Sequence, residues 1–263
     1  MTNISDIRIG ELMKGKKALI VGVANEHSIA YGIARSLSRA GAELAITYQT
    51  EKTKTFVEPC LADLRVPLFM PCDVTQAGSL EAVFEAIEKT WGRLDVLVHA
   101  IAFAPREDLH GRVVDCSLNG FLNAMDVSCH SFIRMARLAE PLMKDGGSMF
   151  TMTYYGSEKA VPNYNMMGPV IAALESTVRY LALELGEKRI RVNAISPGPM
   201  MTRAASGLKK FEHLLSLAAE RAPTHHLVTL DDVGRTTTFL ASDLAPSITG
   251  DVIYIDGGYH IVG

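Results

Sequence analysis

The chain has 263 residues, 48% of them hydrophobic and 21% charged, with a net charge of −3. This is the composition of a globular chain with a large core, and it excludes a disordered, fibrous or low-complexity polymer. The charge balance leaves no basic footprint for nucleic acid, and no run approaches the ~18 apolar residues of a membrane span. The four cysteines, Cys60, Cys72, Cys116 and Cys129, form no C-x-x-C pair, which reads as free thiols in a reducing compartment. Residues 1–16 carry charge without an apolar leader core, so the expectation is a soluble, cytoplasmic protein.

In chain order, short apolar and β-branched runs at 17–23, 43–48, 67–72, 95–99, 148–153, 190–195 and 252–256 predict strands. Longer amphipathic stretches near 28–40, 51–64, 78–91, 121–143, 164–186, 207–220 and 231–242 predict helices between them. Strands apolar on both faces, alternating with helices, require a parallel sheet covered on both sides. With right-handed crossovers this gives an α/β, doubly wound, seven-stranded sheet. No repeat or linker divides the chain, so residues 1–263 read as one domain.

Gly10-x-x-x-x-Gly15-Lys16 falls short of a phosphate-binding P-loop: Lys17 stands where Ser or Thr should be, and the stretch precedes a strand. No histidine shows H-E-x-x-H spacing, so no metal site is predicted. The stretch 22–34, GVANEHSIAYGIA, is more informative because it joins the first strand to the first helix. Gly22 at the strand end and Gly32 in the first helical turn would admit a pyrophosphate to backbone N–H groups at a helix N-terminus. Asp73 after the third strand would accept the adenine amino group, although Asp there also suits a turn or a helix cap. Gln49 ends the second strand where many NAD enzymes place an acid, and the small residues Ala100, Ile101 and Ala102 close the fourth. The order of these features along the chain points to a dinucleotide.

Several further motifs carry a resemblance: SIAYGIA at 28–34, HAIAFAP at 99–105, Tyr154, and PNYN at 162–165. RVNAISPGP at 191–199, AASG at 204–207 and DGG at 256–258 extend it nearly end to end. The chain resembles the short-chain dehydrogenase/reductase superfamily and, within it, the NADH-dependent enoyl-acyl-carrier-protein reductases. That likeness implies a Rossmann-type domain that reduces 2-enoyl thioesters in fatty acid biosynthesis, with acyl carrier protein as partner and a homotetramer as the assembly. It implies that Gly22, Ser28, Ile29, Gln49, Asp73, Val74, Ile101, Ile195, Ser196, Pro197, Gly198 and Pro199 contact NADH. It implies that Ala104 borders the acyl thioester and that about 200–221 forms a substrate-covering segment. Met201, Leu208, Phe211, Leu214, Leu215 and Leu217 give that segment an apolar surface suited to a fatty chain, though a packed core helix would read alike.

By the same resemblance, Tyr164 is the phenol that stabilises the charge developing on the thioester oxygen, and Tyr154 lies near the reacting carbons, where it protonates or positions. The family's Tyr-x₆-Lys pattern is broken, because Ile171 stands seven residues after Tyr164. Seven residues make about two helical turns, which predicts that Ile171 faces the nicotinamide ribose without a donor. Pro169 is expected to loosen the turn near Asn165. Neutral Gln49, with no arginine close behind it, favours NADH over NADPH, although Lys52 and Lys54 are near. Two other readings stay open. Tyr155-x-x-x-Lys159 has the spacing of a carbonyl/alcohol oxidoreductase, but it lies just after a strand and before Pro162. Ile171 also fits a catalytically weakened paralogue that binds NADH or acyl carrier protein.

Overall fold

The computed structural model describes residues 9–202 and 211–262. All seven predicted strands form: β1 Lys17–Val21, β2 Glu43–Tyr48, β3 Leu68–Pro71, β4 Val96–His99, β5 Gly147–Met152, β6 Ile190–Pro197 and β7 Val252–Ile255. They make one parallel sheet in the order β3-β2-β1-β4-β5-β6-β7. The order reverses beside β1, and the crevice outside the C-terminal ends of β1 and β4 is where such a sheet takes its ligands.

The helices are α1 Ile29–Arg39, α2 Glu51–Val57, α3 Ser79–Trp91, α4 Arg106–His110, α5 Leu118–Met125, α6 Ser131–Ala139, α7 Met167–Leu185, α8 Phe211–Arg221 and α9 Leu230–Ala241. Three differences from expectation have local causes. The 51–64 helix is cut short where Pro59 tightens it into a 3-10 turn, Glu58–Leu61. The long helix expected over 121–143 is α5 and α6 joined through a π-helical stretch, Asp126–His130. The short helix α4 went unpredicted, having too few residues for a periodic signal. The Gly10–Lys16 stretch forms a 3-10 turn and a left-handed Gly15 leading into β1, with no strand before it among the described residues.

Alternate residues of each strand feed opposite faces. Leu19, Val21, Leu97, Met149 and Val192 pack under α3, α6 and α7, whereas Ala18, Ile20, Val96, Phe150 and Ile195 pack under α1 and α9. Burial on both faces explains the unbroken apolar runs in the sequence. A smaller cluster of Ala124, Met166, Met167, Val170 and Ile171 lies beside the C-terminal ends of the central strands.

Gly32 corrects an expectation. A Cβ there would lie 2.8 Å from both Cβ and the carbonyl oxygen of Leu230, and one on Gly234 would lie 2.5 Å from the Gly32 carbonyl oxygen. The two glycines let α1 and α9 touch through their backbones, and an Arg35–Asp231 ion pair of 2.5 Å flanks the contact. Gly32 therefore serves helix packing rather than pyrophosphate approach.

Candidate active site

The predicted cofactor residues line up along the C-terminal edge of the sheet. Gly22 follows β1, Gln49 follows β2, Asp73 lies just past β3 and Ile101 just past β4. Gly22 has φ +112°, and a Cβ on it would sit 2.1 Å from the Ala100 carbonyl oxygen, so only glycine fits where β1 and β4 converge. Ser28 occupies the N-cap position of α1 but makes no cap; its Oγ donates to the Asn25 carbonyl at 2.6 Å and accepts from Ala24 N at 3.3 Å. The first turn of α1 also carries no acidic residue. This N-terminus, uncapped by side chains, suits an anionic group.

Asp73 Oδ1 accepts from the amide and hydroxyl of Thr75 at 2.9 and 2.7 Å, an Asx turn that fixes the carboxylate just past β3. Gln49 is exposed at the rim. The side chains of Val74 and Ile195 are core, so these two would meet a cofactor through their backbones. Ser196 Oγ is buried without a partner among the described residues.

A largely apolar cavity of about 330 Å³ opens next to this edge. Ile29, Ala104, Tyr154, Tyr164, Pro197, Gly198 and Pro199 line it, as does Met200 from the predicted covering segment, with Leu214 from α8. Residues 203–210 of that segment, including the AASG stretch and Leu208, lie outside the described residues. Phe103, Leu109, Thr153 and Met167 line the cavity as well, and sequence reasoning missed them. Phe103 lies inside the HAIAFAP stretch; the other three carry only ordinary core signals.

Two phenols meet in this cavity. The Tyr154 and Tyr164 rings pack edge to face, 5.1 Å between centroids. Burial, first of all, pushes both hydroxyls above the usual phenol range, so both stay protonated donors. Tyr154 Oη is buried and has no partner among the described residues. Gly156 leaves room for the pair: a Cβ there would come 2.6 Å from Tyr164 Cδ1.

The loop after β4 is fixed from below. Ser128, in the π-helical stretch, accepts from Phe103 N at 3.0 Å and donates to the Phe103 carbonyl at 3.2 Å. The widened helical turn thus brings Ser128 to the cavity loop, a common use of such bulges. At the end of β4, His99 is buried between Thr151 Oγ1 (2.8 Å) and Ser131 Oγ (2.7 Å). Ser131 gives its own proton to the Val127 carbonyl, so His99 Nε2 must donate to Ser131 and Nδ1 must accept from Thr151. Burial pulls the imidazole down to about 3, which leaves it neutral.

The break in the Tyr-x₆-Lys pattern looks different in three dimensions. Tyr164 lies in the turn before α7, its carbonyl accepting from Met167 N at 3.1 Å, so it does not share a helical face with Ile171. Ile171 is 2% exposed, belongs to the apolar cluster, and does not line the cavity. Pro169 sits in the first turn of α7, where its missing N–H would have had no helical partner, and so it starts the helix rather than loosening it. One turn beyond Ile171, Glu175 is 6% exposed, and its Oε1 accepts from Thr153 Oγ1 (2.5 Å) and Ser157 Oγ (2.6 Å). Tyr155 lies in a 3-10 turn, Tyr155–Ser157, immediately after β5 rather than within a helix. The helical context that a Tyr155–Lys159 catalytic pair requires is absent there.

The sequence profile of the family described as Enoyl-(Acyl carrier protein) reductase matches residues 22–260. The chain belongs to that family. It is 48% identical over 252 residues to enoyl-[acyl-carrier-protein] reductase [NADH] 1 of Rhizobium meliloti, covering 96% of this chain and 93% of the relative. The Aquifex aeolicus relative, enoyl-[acyl-carrier-protein] reductase [NADH] FabI, is 47% identical over 253 residues, covering 96% and 94%. Among solved structures, the Anaplasma phagocytophilum reductase in complex with NAD superposes with a TM-score of 0.93 at 48% identity over 98% of both chains. The Bacillus cereus enzyme with NADP+ and indole naphthyridinone gives 0.93 at 47%, over 96% of this chain and 99% of that one.

Proposed function

We propose that this chain reduces the 2-enoyl thioester of acyl carrier protein to the saturated thioester with NADH, as an enzyme of fatty acid biosynthesis. The observation that carries the reading is the pair of protonated phenols converging in an apolar cavity beside Pro197, Gly198 and Pro199. NADH is held along the C-terminal edge by Gly22, Ser28, Ile29, Gln49, Asp73, Val74, Ile101 and the segment from Ile195 through Ser196 to Pro199. When bound there it supplies the hydride that C3 of the enoyl group takes up.

The chain's own residues do the rest. Reduction at C3 leaves negative charge on the thioester oxygen, and the Tyr164 hydroxyl donates a hydrogen bond to it. Burial keeps that hydroxyl protonated, so it acts as a donor and not as a charge. Tyr154 packs against Tyr164 and directs a hydroxyl that is unpaired among the described residues towards the reacting carbons, where it positions the substrate and assists protonation. Ala104 borders the thioester, and Leu109, Met200 and Leu214 offer apolar surface to the acyl chain. The segment over 200–221 covers it.

NADH is preferred over NADPH. Gln49 is neutral and exposed, and of the nearby lysines Lys54 already lies 3.9 Å from Glu51 and above the Tyr48 ring. Equal affinity for the two nucleotides in a fluorescence titration would contradict this. We read the chain as a single cytoplasmic domain that assembles as a homotetramer. Exposed Leu118 and Leu122 on α5, and Tyr180 and Leu183 on α7, support self-association, which light scattering tests.

NADH oxidation with crotonyl and with acetoacetyl thioester tests the activity. An enoyl reductase turns over only the first. Turnover of acetoacetyl thioester would identify a carbonyl reductase, and turnover of neither would identify a non-catalytic paralogue.

A further inference from the structure

A second cavity lies at the other end of the sheet. It has a volume of about 470 Å³ and is formed where β1, β4, β5 and β6 begin, a full strand length from the two tyrosines. Its cations are Lys16, Arg93, Arg189 and Arg191, and its acids are Asp95, Asp145 and Asp243, an excess of one positive charge.

The pairing of these groups is uneven. Asp95 is consumed by Arg93 at 2.6 Å and by the Lys17 amide at 2.8 Å, and Lys16 lies 3.6 Å from Asp243. Among the described residues no carboxylate reaches ion-pair distance of Arg189 or Arg191. Arg191 instead donates to the Leu240, Ala241 and Ser242 carbonyls at the C-terminal end of α9. A helix terminus answers only about half a unit charge, and Asp243, beyond ion-pair distance and already 3.6 Å from Lys16, adds only a longer-range attraction, so part of the guanidinium's charge stays unmatched.

Ser148 supplies the second, independent observation. It is 1% exposed, lines this cavity, and its Oγ has no hydrogen-bond partner among the described residues. Ser148 and Arg191 are register partners across β5 and β6, which places both side chains on the same face of the sheet. An orphaned buried hydroxyl normally signals an absent partner. Here it stands beside an under-neutralised guanidinium, with exposed Arg189 two residues before Arg191.

We propose that this cavity is a binding site for a small oxyanion of the phosphate class, separate from the site of enoyl reduction. Ser148 Oγ donates one hydrogen bond to the anion, and Arg191 and Arg189 supply the charge. The ligand is a free phosphate or the terminal phosphate of a small monoester, because both present the same oxygens.

Isothermal titration of the full chain with inorganic phosphate, against sodium chloride at matched ionic strength, tests this. The expected result is one saturable site per chain that saturating NADH does not displace. Ser148→Ala and Arg189→Gln should each weaken it by about 10-fold or more, the effect of losing one hydrogen bond to a charged group. Ser148 Oγ makes no hydrogen bond among the described residues and Arg189 is exposed, so both variants report on binding. Glycerol phosphate in place of inorganic phosphate separates the two sources: tighter binding selects a monoester, weaker binding a free phosphate. Heats no larger than those of chloride, displacement by NADH, or unchanged affinity in both variants would overturn the proposal.

Discussion

The Tyr154 ring meets the Tyr164 ring at 65°, and of the two hydroxyls it is that of Tyr154 which is buried with no partner among the described residues. A phenol left unsatisfied in an apolar wall costs stability, on the order of 1–3 kcal/mol. Tyr154→Phe should therefore raise the melting temperature while lowering turnover. Tyr164→Phe should lower kcat by ~10²–10³ and leave NADH affinity unchanged, since the bond it removes forms with developing charge. Melting curves and steady-state kinetics of the two variants check both, and a Tyr154→Phe protein less stable than its parent would contradict the first.

Gly32 offers a clean separation of packing from cofactor binding. Gly32→Ala drives a methyl group to 2.8 Å from Leu230, so α1 and α9 must move apart. The expected loss is about 1–3 kcal/mol of stability, typical of overpacking. NADH affinity of the folded fraction should change little. A large affinity loss without destabilisation would return Gly32 to the pyrophosphate site.

His99 predicts an acid-sensitive fold. Its folded value, about 3, lies below the unfolded 6.5, so between these values the unfolded chain holds the extra proton and stability rises with pH. As pH falls below 6.5, unfolding free energy should drop with a slope approaching about 1.4 kcal/mol per pH unit from this one group. Denaturant melts of His99→Gln should lose that component, because an amide can bond to Thr151 and Ser131 without titrating. An unchanged slope would assign the acid sensitivity to other groups.

Ile171 is enclosed in the apolar cluster, 2% exposed. Within α7 it lies one turn from Glu175, whose carboxylate accepts from the Thr153 and Ser157 hydroxyls and whose charge helps hold the Tyr164 proton. In Ile171→Lys, a stem running through the apolar cluster would bring an ammonium group to that carboxylate and to the ribose edge. We expect NADH affinity to rise by ~10- to 150-fold, the equivalent of one charge-assisted hydrogen bond, and thermal stability to fall. Fluorescence titration and melting curves measure the two. A folded variant with unchanged affinity would mean that this position does not reach the cofactor.

The sequence by itself determined the architecture. Apolar runs such as 18–21 and 96–98 occur because parallel strands bury both faces, and the residues just past each strand, Gly22, Gln49, Asp73 and Ile101, had to fall on one edge once the strands were parallel. Tyr154 and Tyr164, marked in the sequence by their flanking residues, both line the cavity. Only the tertiary structure decided what each buried position touches. It turned Gly32 from a phosphate neighbour into a helix contact, set Tyr164 ahead of α7, enclosed Ile171 in an apolar cluster, and recruited Leu109 and Met167 to the cavity wall. Hydrophobic periodicity records how much of a side chain leaves water, whereas the partner that covers it comes from a distant part of the chain and is fixed only when helices and sheet pack.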